Sequence, residues 1–458
     1  MTLDLANKRV LVVGLGRSGI AAAQLCAARG ARVTVTDKRS AADLAAAAGA
    51  LPASVTRELG GHRRDTFTGA DLIVLSPGVP EIPELVAARA AGVAVTGELE
   101  LASRFVTAPV VAVTGTNGKS TTTTLAGDML RATGHPSFVG GNLGEPLAEA
   151  VGTPAAREGG FCVVEASSFQ LETVETFRPR VAVLLNITAD HLDRYEGMDG
   201  YAAAKARIFA AQTAAEFALV NADDPIAMRA AAAAPSRQLQ FSIVRSLGEG
   251  AWLRAGELIV QLPGQPVESY PADLPWLAGQ RHNQANALAA LLAARLAGAP
   301  QETARAGLLA FRPLAHRMEL VAEVDGVAYY DDSKGTNVGA VVAALDGFPR
   351  PVVLIAGGRD KGGDYGPLAE VMARVGRGAV LIGEAADKIQ AALQGRVAVD
   401  RAASLEAAVT AAHQRARRGD AVVLSPACSS FDMFRDYAHR AEVFRAAVAR
   451  LAQEAKAS

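Results

Sequence analysis

Two glycine-rich loops, each set between an apolar run and a helical pattern, constrain the fold of this chain more than anything else in it. The first is Gly14-x-Gly16-x-x-Gly19, between KRVLVVG and IAAAQLCAARG. The second is Thr114-Gly115-Thr116-Asn117-Gly118-Lys119-Ser120-Thr121, after APVVAVTG and before a helix predicted from about Ser120 to Ala132. Strand, tight glycine turn and helix form the unit from which parallel sheets are built, because parallel strands need a crossover between them. Such units recur to the end of the chain.

The chain has 458 residues, room for about three domains at ~100–200 residues each. The first segment, 1–97, reads as Rossmann-like α/β, with strands KRVLVVG, ARVTVTD, ADLIVLS and VAVTG. The second, 98–312, carries the second loop and the strands FCVVEAS, RVAVLLNI and FALVN. It is predicted to be a P-loop ATPase-like parallel sheet. FSIV, AWLR and ELIVQLP alternate apolar and polar residues and suggest a small β insertion at 240–275. The third, 313–458, holds GVAYYDDS, PVVLIAGG, AVLIGE and DAVVLSP, again with a parallel α/β rhythm, and reads as Rossmann-like. The expected fold class is therefore α/β in three consecutive domains.

Composition narrows the function. Lys+Arg is 46 and Asp+Glu is 47, a net charge of −1, so the chain lacks the basic excess of a nucleic-acid protein. No uncharged apolar run approaches the ~18 residues of a membrane span, and no secretory leader is read at the N-terminus. Cys26, Cys162 and Cys428 are few and widely spaced, which argues against a disulfide framework and for a reducing cytoplasm.

Alone, the first loop resembles a dinucleotide fingerprint. Its glycines allow close backbone approach, a helix N-terminus attracts a diphosphate, and Asp37 closes the next strand 21 residues after Gly16. That reading leads to a nicotinamide oxidoreductase, yet nothing in the loop demands nicotinamide. Ser76-Pro77-Gly78 ends another strand of the same sheet and is placed at the same crevice. In the second loop, consecutive N–H groups can cradle phosphates, Lys119 supplies a charge for the β- and γ-phosphates, and the Ser120 hydroxyl can ligate Mg²⁺. The spacing departs from a standard P-loop, since Val113 stands where the first glycine belongs. A hydride-transfer enzyme has no need of this second loop. An ATP-dependent ligase acting on a nucleotide-linked substrate needs both, and an ATP-driven switch without ligase activity is a further alternative.

A series of longer strings then resembles the Mur ligases of peptidoglycan synthesis across essentially the whole chain: TGTNGKST, GGNLGEP, VVEASSFQLE, NITADHLDRY, YAAAKARIF, GQRHNQANALAA, HRMELV, DDSKGTN, GGRDKGGDY and SPACSSFDMFRDYAHRAEVF. DDSKGTN and the last string point to the D-glutamate-adding branch rather than to relatives with another acceptor, such as the L-lysine-adding or folate-glutamate ligases. The resemblance implies ATP and two Mg²⁺ ions as cofactors. It also implies small-molecule substrates, UDP-MurNAc-L-Ala and D-glutamate, handled by a cytoplasmic monomer that neither binds nucleic acid nor inserts in a membrane.

The resemblance also assigns residues. Gly14, Gly16, Arg17, Ser18, Asp37, Lys38, Ser76, Pro77, Gly78, Asn142 and His191 are expected at the UDP-substrate. Gly115, Thr116, Asn117, Gly118, Lys119, Ser120, Thr121, Asn283, Asn286, Arg317 and Asp332 are expected at ATP. Ser120, Glu165, His191 and Lys205 are expected to hold the metal ions, Lys205 as a carbamate formed with CO₂, and Lys119, Glu165, His191 and Lys205 are the implied catalytic set. From the residues alone, Glu165 could be a solvated strand end, His191 a structural histidine and Lys205 a lysine on the polar face of a helix. Lys334, Thr336, Lys361, Ser430 and Phe431 are expected to take D-glutamate, with Cys428 structural beside them. Because ATP and glutamate residues come from different segments, the third domain is expected to close on ligand binding.

Overall fold

The computed structural model describes residues 3–192 and 194–457. It contains three sheets. The first sheet comprises β1 (Arg9–Val13), β2 (Arg32–Asp37), β3 (Thr56–Leu59), β4 (Leu72–Leu75) and β5 (Ala94–Gly97), in the order β3-β2-β1-β4-β5. All its pairings are parallel. The chain turns from β1 to β2 on one side and comes back to β4 on the other, so a switch point opens beyond Val13 and Leu75. Leu11, Val13, Phe67, Ile73, Leu75 and Leu85 form the core under one face.

The second sheet has nine strands, β6 (Val110–Thr114), β7 (Ser137–Gly141), β8 (Phe161–Glu165), β9 (Val181–Leu184), β10 (Phe217–Asn221), β11 (Arg237–Ser242), β12 (Gly250–Arg254), β13 (Glu257–Gln261) and β14 (Val267–Pro271). Their order is β14-β13-β12-β11-β10-β9-β6-β8-β7. β6, β8 and β9 are interior strands and nearly wholly buried, which accounts for their continuous apolar sequences. The expected β insertion takes the form of an edge extension of this same sheet. β12 and β13 pair antiparallel through Ala255-Gly256, both at positive φ, the geometry that a tight two-residue hairpin requires. Helix Gln301–Ala310 packs so closely on helix Lys119–Arg131 that a Cβ on Gly307 would sit 2.7 Å from the Met129 Cα.

The third sheet comprises β15 (Glu319–Val324), β16 (Val327–Asp331), β17 (Val352–Gly357), β18 (Gly376–Ile382), β19 (Val399–Arg401) and β20 (Ala421–Leu424), in the order β15-β16-β20-β17-β18-β19. β15 and β16 form an antiparallel hairpin through Asp325-Gly326, and the other pairings are parallel. Contacts divide the chain into two compact units. One is Met1–Asn186, Ala202–Tyr270 and Asn286–Phe311, and holds the first two sheets; the other is Ile187–Tyr201, Pro271–Ala285 and Arg312–Ser458. No helix among the described residues is long and apolar enough to cross a membrane. All three cysteines are buried free thiols.

Candidate active site

In the first unit, the crevice beyond β1 and β4 is built by close backbone approach. Gly14 has φ +88°, and the Ser76 hydroxyl donates to its carbonyl at 2.8 Å. A Cβ on Gly19 would lie 2.0 Å from the Gly14 oxygen, so only glycine lets helix Arg17–Ala28 start there. A Cβ on Gly16 would meet nothing within 4 Å, which leaves that face of the loop open. Arg17, Lys38 and Gly78 are exposed around it, and Ser18 and Pro77 half-buried. Asp37 is buried. It accepts from the Leu15 N–H at 2.8 Å, and from the backbone N–H and guanidinium of Arg39. Burial raises its pKa, but the Arg39 and Leu15 hydrogen bonds outweigh that and hold the carboxyl well below the usual range. Asp37 is thus an anionic clamp on the glycine loop, and Arg39, which sequence reasoning passed over, covers it.

The second loop lies beyond β6, flanked by the ends of β8 and β9. Gly115 and Gly118 have φ +150° and +83°. A Cβ on Gly118 would lie 2.2 Å from the Asn286 Oδ1, so the structure brings Asn286 against the loop. Lys119 folds back over it, donating to the Gly115 and Thr116 carbonyls at 3.0 and 2.8 Å. Ser120 and Thr121 are buried at the first turn of the helix. The Thr116 N–H donates to the Asn186 carbonyl at 2.9 Å, and the Asn117 N–H to the Asn186 Oδ1 at 2.8 Å. These two amides therefore brace the loop against Asn186.

Glu165 ends β8 and is buried, with Oε1 accepting from the Asn142 Nδ2 at 2.8 Å. The Asn142 N–H in turn donates to the Glu165 carbonyl, so the exposed Asn142 is tied to both the main chain and the carboxylate of Glu165. The SSFQ that follows forms a capping box between Ser167 and Gln170, a local structural role for that string. Lys205 is 1% exposed, and its Nζ donates to the Gly115 carbonyl at 2.8 Å. A lysine readable as solvated therefore sits on the nucleotide loop.

In the second unit, three loops leave the carboxyl ends of the adjacent strands β16, β20 and β17. The buried Arg440 ties two of them, donating to the Ser333 carbonyl at 2.8 Å and the Cys428 carbonyl at 3.3 Å. Thr336, Lys361, Ser430 and Phe431 line one pocket of about 670 Å³, together with His191 and Tyr437. Lys334 is outside that lining but lies over the Tyr437 ring. Lys361 pairs with Asp190 at 3.3 Å, and Asn337 donates to the same carboxylate at 3.2 Å. His191 adopts φ +56°, with its N–H on Asp190 Oδ1. Cys428 is buried beside the Tyr365 hydroxyl at 3.2 Å, and burial pushes its thiol up to about 11, an inert state.

Asp332 accepts from the Ser425 hydroxyl at 2.5 Å. Burial raises its pKa to about 7 against the lowering effects of Ser425 and Arg317. Asn283 donates to the Trp276 carbonyl at 3.0 Å. His316, Glu319 and Asp331 cluster with ligand-type atoms within 4.8 Å of one another, outside the expected metal set. The Arg445 guanidinium pairs with both Glu319 and Asp331 and supplies their counter-charge.

Comparison with known proteins gives these sites a context. Residues 8–97 match the Mur ligase MurD-like N-terminal domain, 113–294 the Mur ligase middle domain, and 316–428 the Mur ligase glutamate ligase domain. The UDP-N-acetylmuramoylalanine--D-glutamate ligase of Geotalea daltonii is 49% identical over 454 residues, covering 98% of this chain and 99% of the relative. The ligase of the same name from Anaeromyxobacter dehalogenans is 50% identical, covering 96% and 97%. Among solved structures, a pseudomurein peptide ligase type C from Methanothermus fervidus aligns with a TM-score of 0.62 at 19% identity, covering 97% of this chain and 100% of that one. MurF from Acinetobacter baumannii aligns at 0.59 and 18%, covering 97% and 93%. With three successive domain matches and near-half identity to full-length relatives, the chain belongs to the Mur ligase family.

Proposed function

We propose that the protein is an ATP-dependent amide ligase that joins D-glutamate to UDP-N-acetylmuramoyl-L-alanine in peptidoglycan precursor synthesis, acting in the cytoplasm as a monomer. The acceptor reading rests on the pocket that holds Lys361, Thr336 and Ser430. Its lining offers the cations Arg359 and Lys361 and the hydroxyls of Thr336, Ser429 and Ser430 beside the carboxylate of Asp360, donors that suit an amino acid bearing two carboxylates. The full-length relatives named for this reaction support the same reading. The crevice around Gly14, Gly16 and Ser76 is assigned to the UDP-sugar, and Asn142, held on Glu165 beside the second sheet, is assigned to the same substrate. The loop 115–121, with Asn286 against it, is assigned to ATP.

The reaction has two steps. A carboxylate oxygen of the alanyl group attacks the γ-phosphorus and ADP leaves, giving an acyl phosphate. The amine of D-glutamate then attacks the acyl carbon, loses a proton, and expels phosphate. Lys119 and the helix N-terminus stabilise charge on the transferring phosphoryl group. Within the first unit, Ser120, Glu165 and a Lys205 carbamate form the proposed Mg²⁺ donor set. All three give hard oxygen donors suited to the ion, and all three residues are buried. Mg²⁺ held there would neutralise phosphate charge. A carbamate on Lys205 retains one N–H, so the hydrogen bond to Gly115 is compatible with the modification.

An oxygen-18 label in the alanyl carboxylate tests this scheme. The label is expected in released phosphate at one atom per turnover. Unlabelled phosphate alongside full product would overturn the acyl-phosphate step.

A further inference from the structure

We propose that Asn186 is the positioning residue of the nucleotide loop, and that Asn221 supports it. Asn186 follows β9 and uses its main chain and both ends of its carboxamide on the loop. Its carbonyl accepts from the Thr116 N–H at 2.9 Å. Its Oδ1 accepts from the Asn117 N–H at 2.8 Å, and its Nδ2 donates to the Asn117 carbonyl at 3.0 Å. The side-chain amide thus pairs with the backbone of Asn117 much as a neighbouring strand would, although no strand reaches that point. The preceding residue takes part as well. The Leu185 N–H donates to the Thr114 carbonyl at 3.0 Å, and a Cβ on Gly115 would meet the Leu185 Cβ at 2.9 Å. One sheet position further out, Asn221 ends β10 and donates from Nδ2 to the Leu185 carbonyl at 3.0 Å, with its own Oδ1 held by the Asp223 N–H.

Two asparagines on consecutive strand ends therefore hold the loop in one shape. A loop of this kind carries two left-handed glycines and would otherwise sample many conformations. Fixing it beforehand removes an ordering cost from nucleotide binding. The bracing also selects which amides face outward, since those of Thr116 and Asn117 are turned to Asn186. Asn186 touches the loop and not the reacting atoms, so its effect falls on nucleotide affinity more than on amino-acid affinity.

This inference rests on ATP being the ligand of the loop. The test uses the full chain and Mg·ATP, with nucleotide affinity measured by calorimetry, and KM for ATP and D-glutamate measured separately. Asn186→Ala is expected to weaken ATP binding about tenfold or more, with KM for D-glutamate within about twofold of the parent. Asn186→Asp keeps the shape and the acceptor but sets a carboxylate against the Asn117 carbonyl and the phosphates, so it is expected to weaken ATP further than alanine does. Asn221→Ala is expected to act in the same direction and more weakly. If Asn186→Ala and Asn186→Asp bind ATP as the parent does and lose only thermal stability, the brace is purely structural and the proposal fails. A parent that does not bind ATP would instead defeat the assignment of the loop.

Discussion

Lys205 donates to the main-chain oxygen of Gly115 at 2.8 Å from a position 1% exposed to solvent. Gly115 also accepts from Lys119 at 3.0 Å, so one carbonyl at the start of the loop collects two lysines. The carbamate proposed for Lys205 would replace its positive charge with a negative one at this position. Lys205→Ala and Lys205→Arg are expected to lower kcat at least about a hundredfold, the scale of losing a preorganised electrostatic group. A protein equilibrated with ¹³C-bicarbonate is expected to show a carbamate carbonyl resonance that disappears in Lys205→Arg. Parental turnover in Lys205→Ala would remove Lys205 from the mechanism.

Lys361 shares a pocket with Thr336, Ser430 and Phe431 and is paired with Asp190. Lys361→Met keeps most of the stem and removes the charge. KM for D-glutamate is expected to rise about tenfold or more, the weight of a charge-assisted hydrogen bond, while KM for ATP stays near the parent. Initial rates at varied D-glutamate and varied ATP give both constants. Equal rises in both would place Lys361 elsewhere in the reaction.

Glu98 and Glu100, two residues apart on helix Glu98–Ser103, are shifted in opposite directions. Glu98 is buried with one donor, the Ala148 N–H at 2.7 Å, and its Oε2 finds no hydrogen-bond partner among the described residues. Burial, only partly offset by that donor, lifts its pKa to about 7. Between the ordinary value of 4.5 and about 7, the folded state holds a proton that the unfolded state has lost. Stability from this group is therefore complete below that window and falls as pH rises through it. Glu98→Gln keeps the acceptor and removes the titration. It is expected to stabilise the protein at pH 8 by up to about 3 kcal/mol and to flatten the loss between pH 5 and 8, leaving the share due to Asp332. Urea midpoints at the two pH values measure it, and an unchanged slope would contradict the assignment.

Glu100 shows the reverse. Burial alone would raise it, but the Thr176 hydroxyl, the N–H groups of Glu175, Thr176 and Phe177, and Arg104 hold it below the ordinary range. Its stabilisation is present above the ordinary carboxylate range and is lost as pH falls through the depressed value. Glu100→Gln places an NH₂ group among these donors and is expected to cost about 2–4 kcal/mol at pH 7. A urea midpoint within error of the parent would show that the carboxylate network contributes nothing.

The strands of all three sheets were legible where burial on both faces writes a continuous apolar run, as in VVAVT of β6 and VVLIAG of β17. β15 was not, because its exposed edge mixes polar and apolar residues, and β19 has only three residues. The glycine loops were readable because positive φ and close approach leave few alternatives to glycine at Gly14, Gly19 and Gly118. Asn186 opens the string NITADHLDRY and Arg440 lies within SPACSSFDMFRDYAHRAEVF, but bracing a loop from a neighbouring strand end or helix leaves no local spacing that separates either residue from the rest of its string. The Ala-rich surroundings of Lys205 hid its burial, because small residues suit either face of a helix.

The proposed reaction is decided by phosphate release from ATP, measured with UDP-N-acetylmuramoyl-L-alanine and each of D-glutamate, L-glutamate and L-lysine. Phosphate and ligated product are expected in equal amounts with D-glutamate and little of either with the other two. Phosphate release at the same rate without any amino acid, or product with L-lysine in place of D-glutamate, would contradict it.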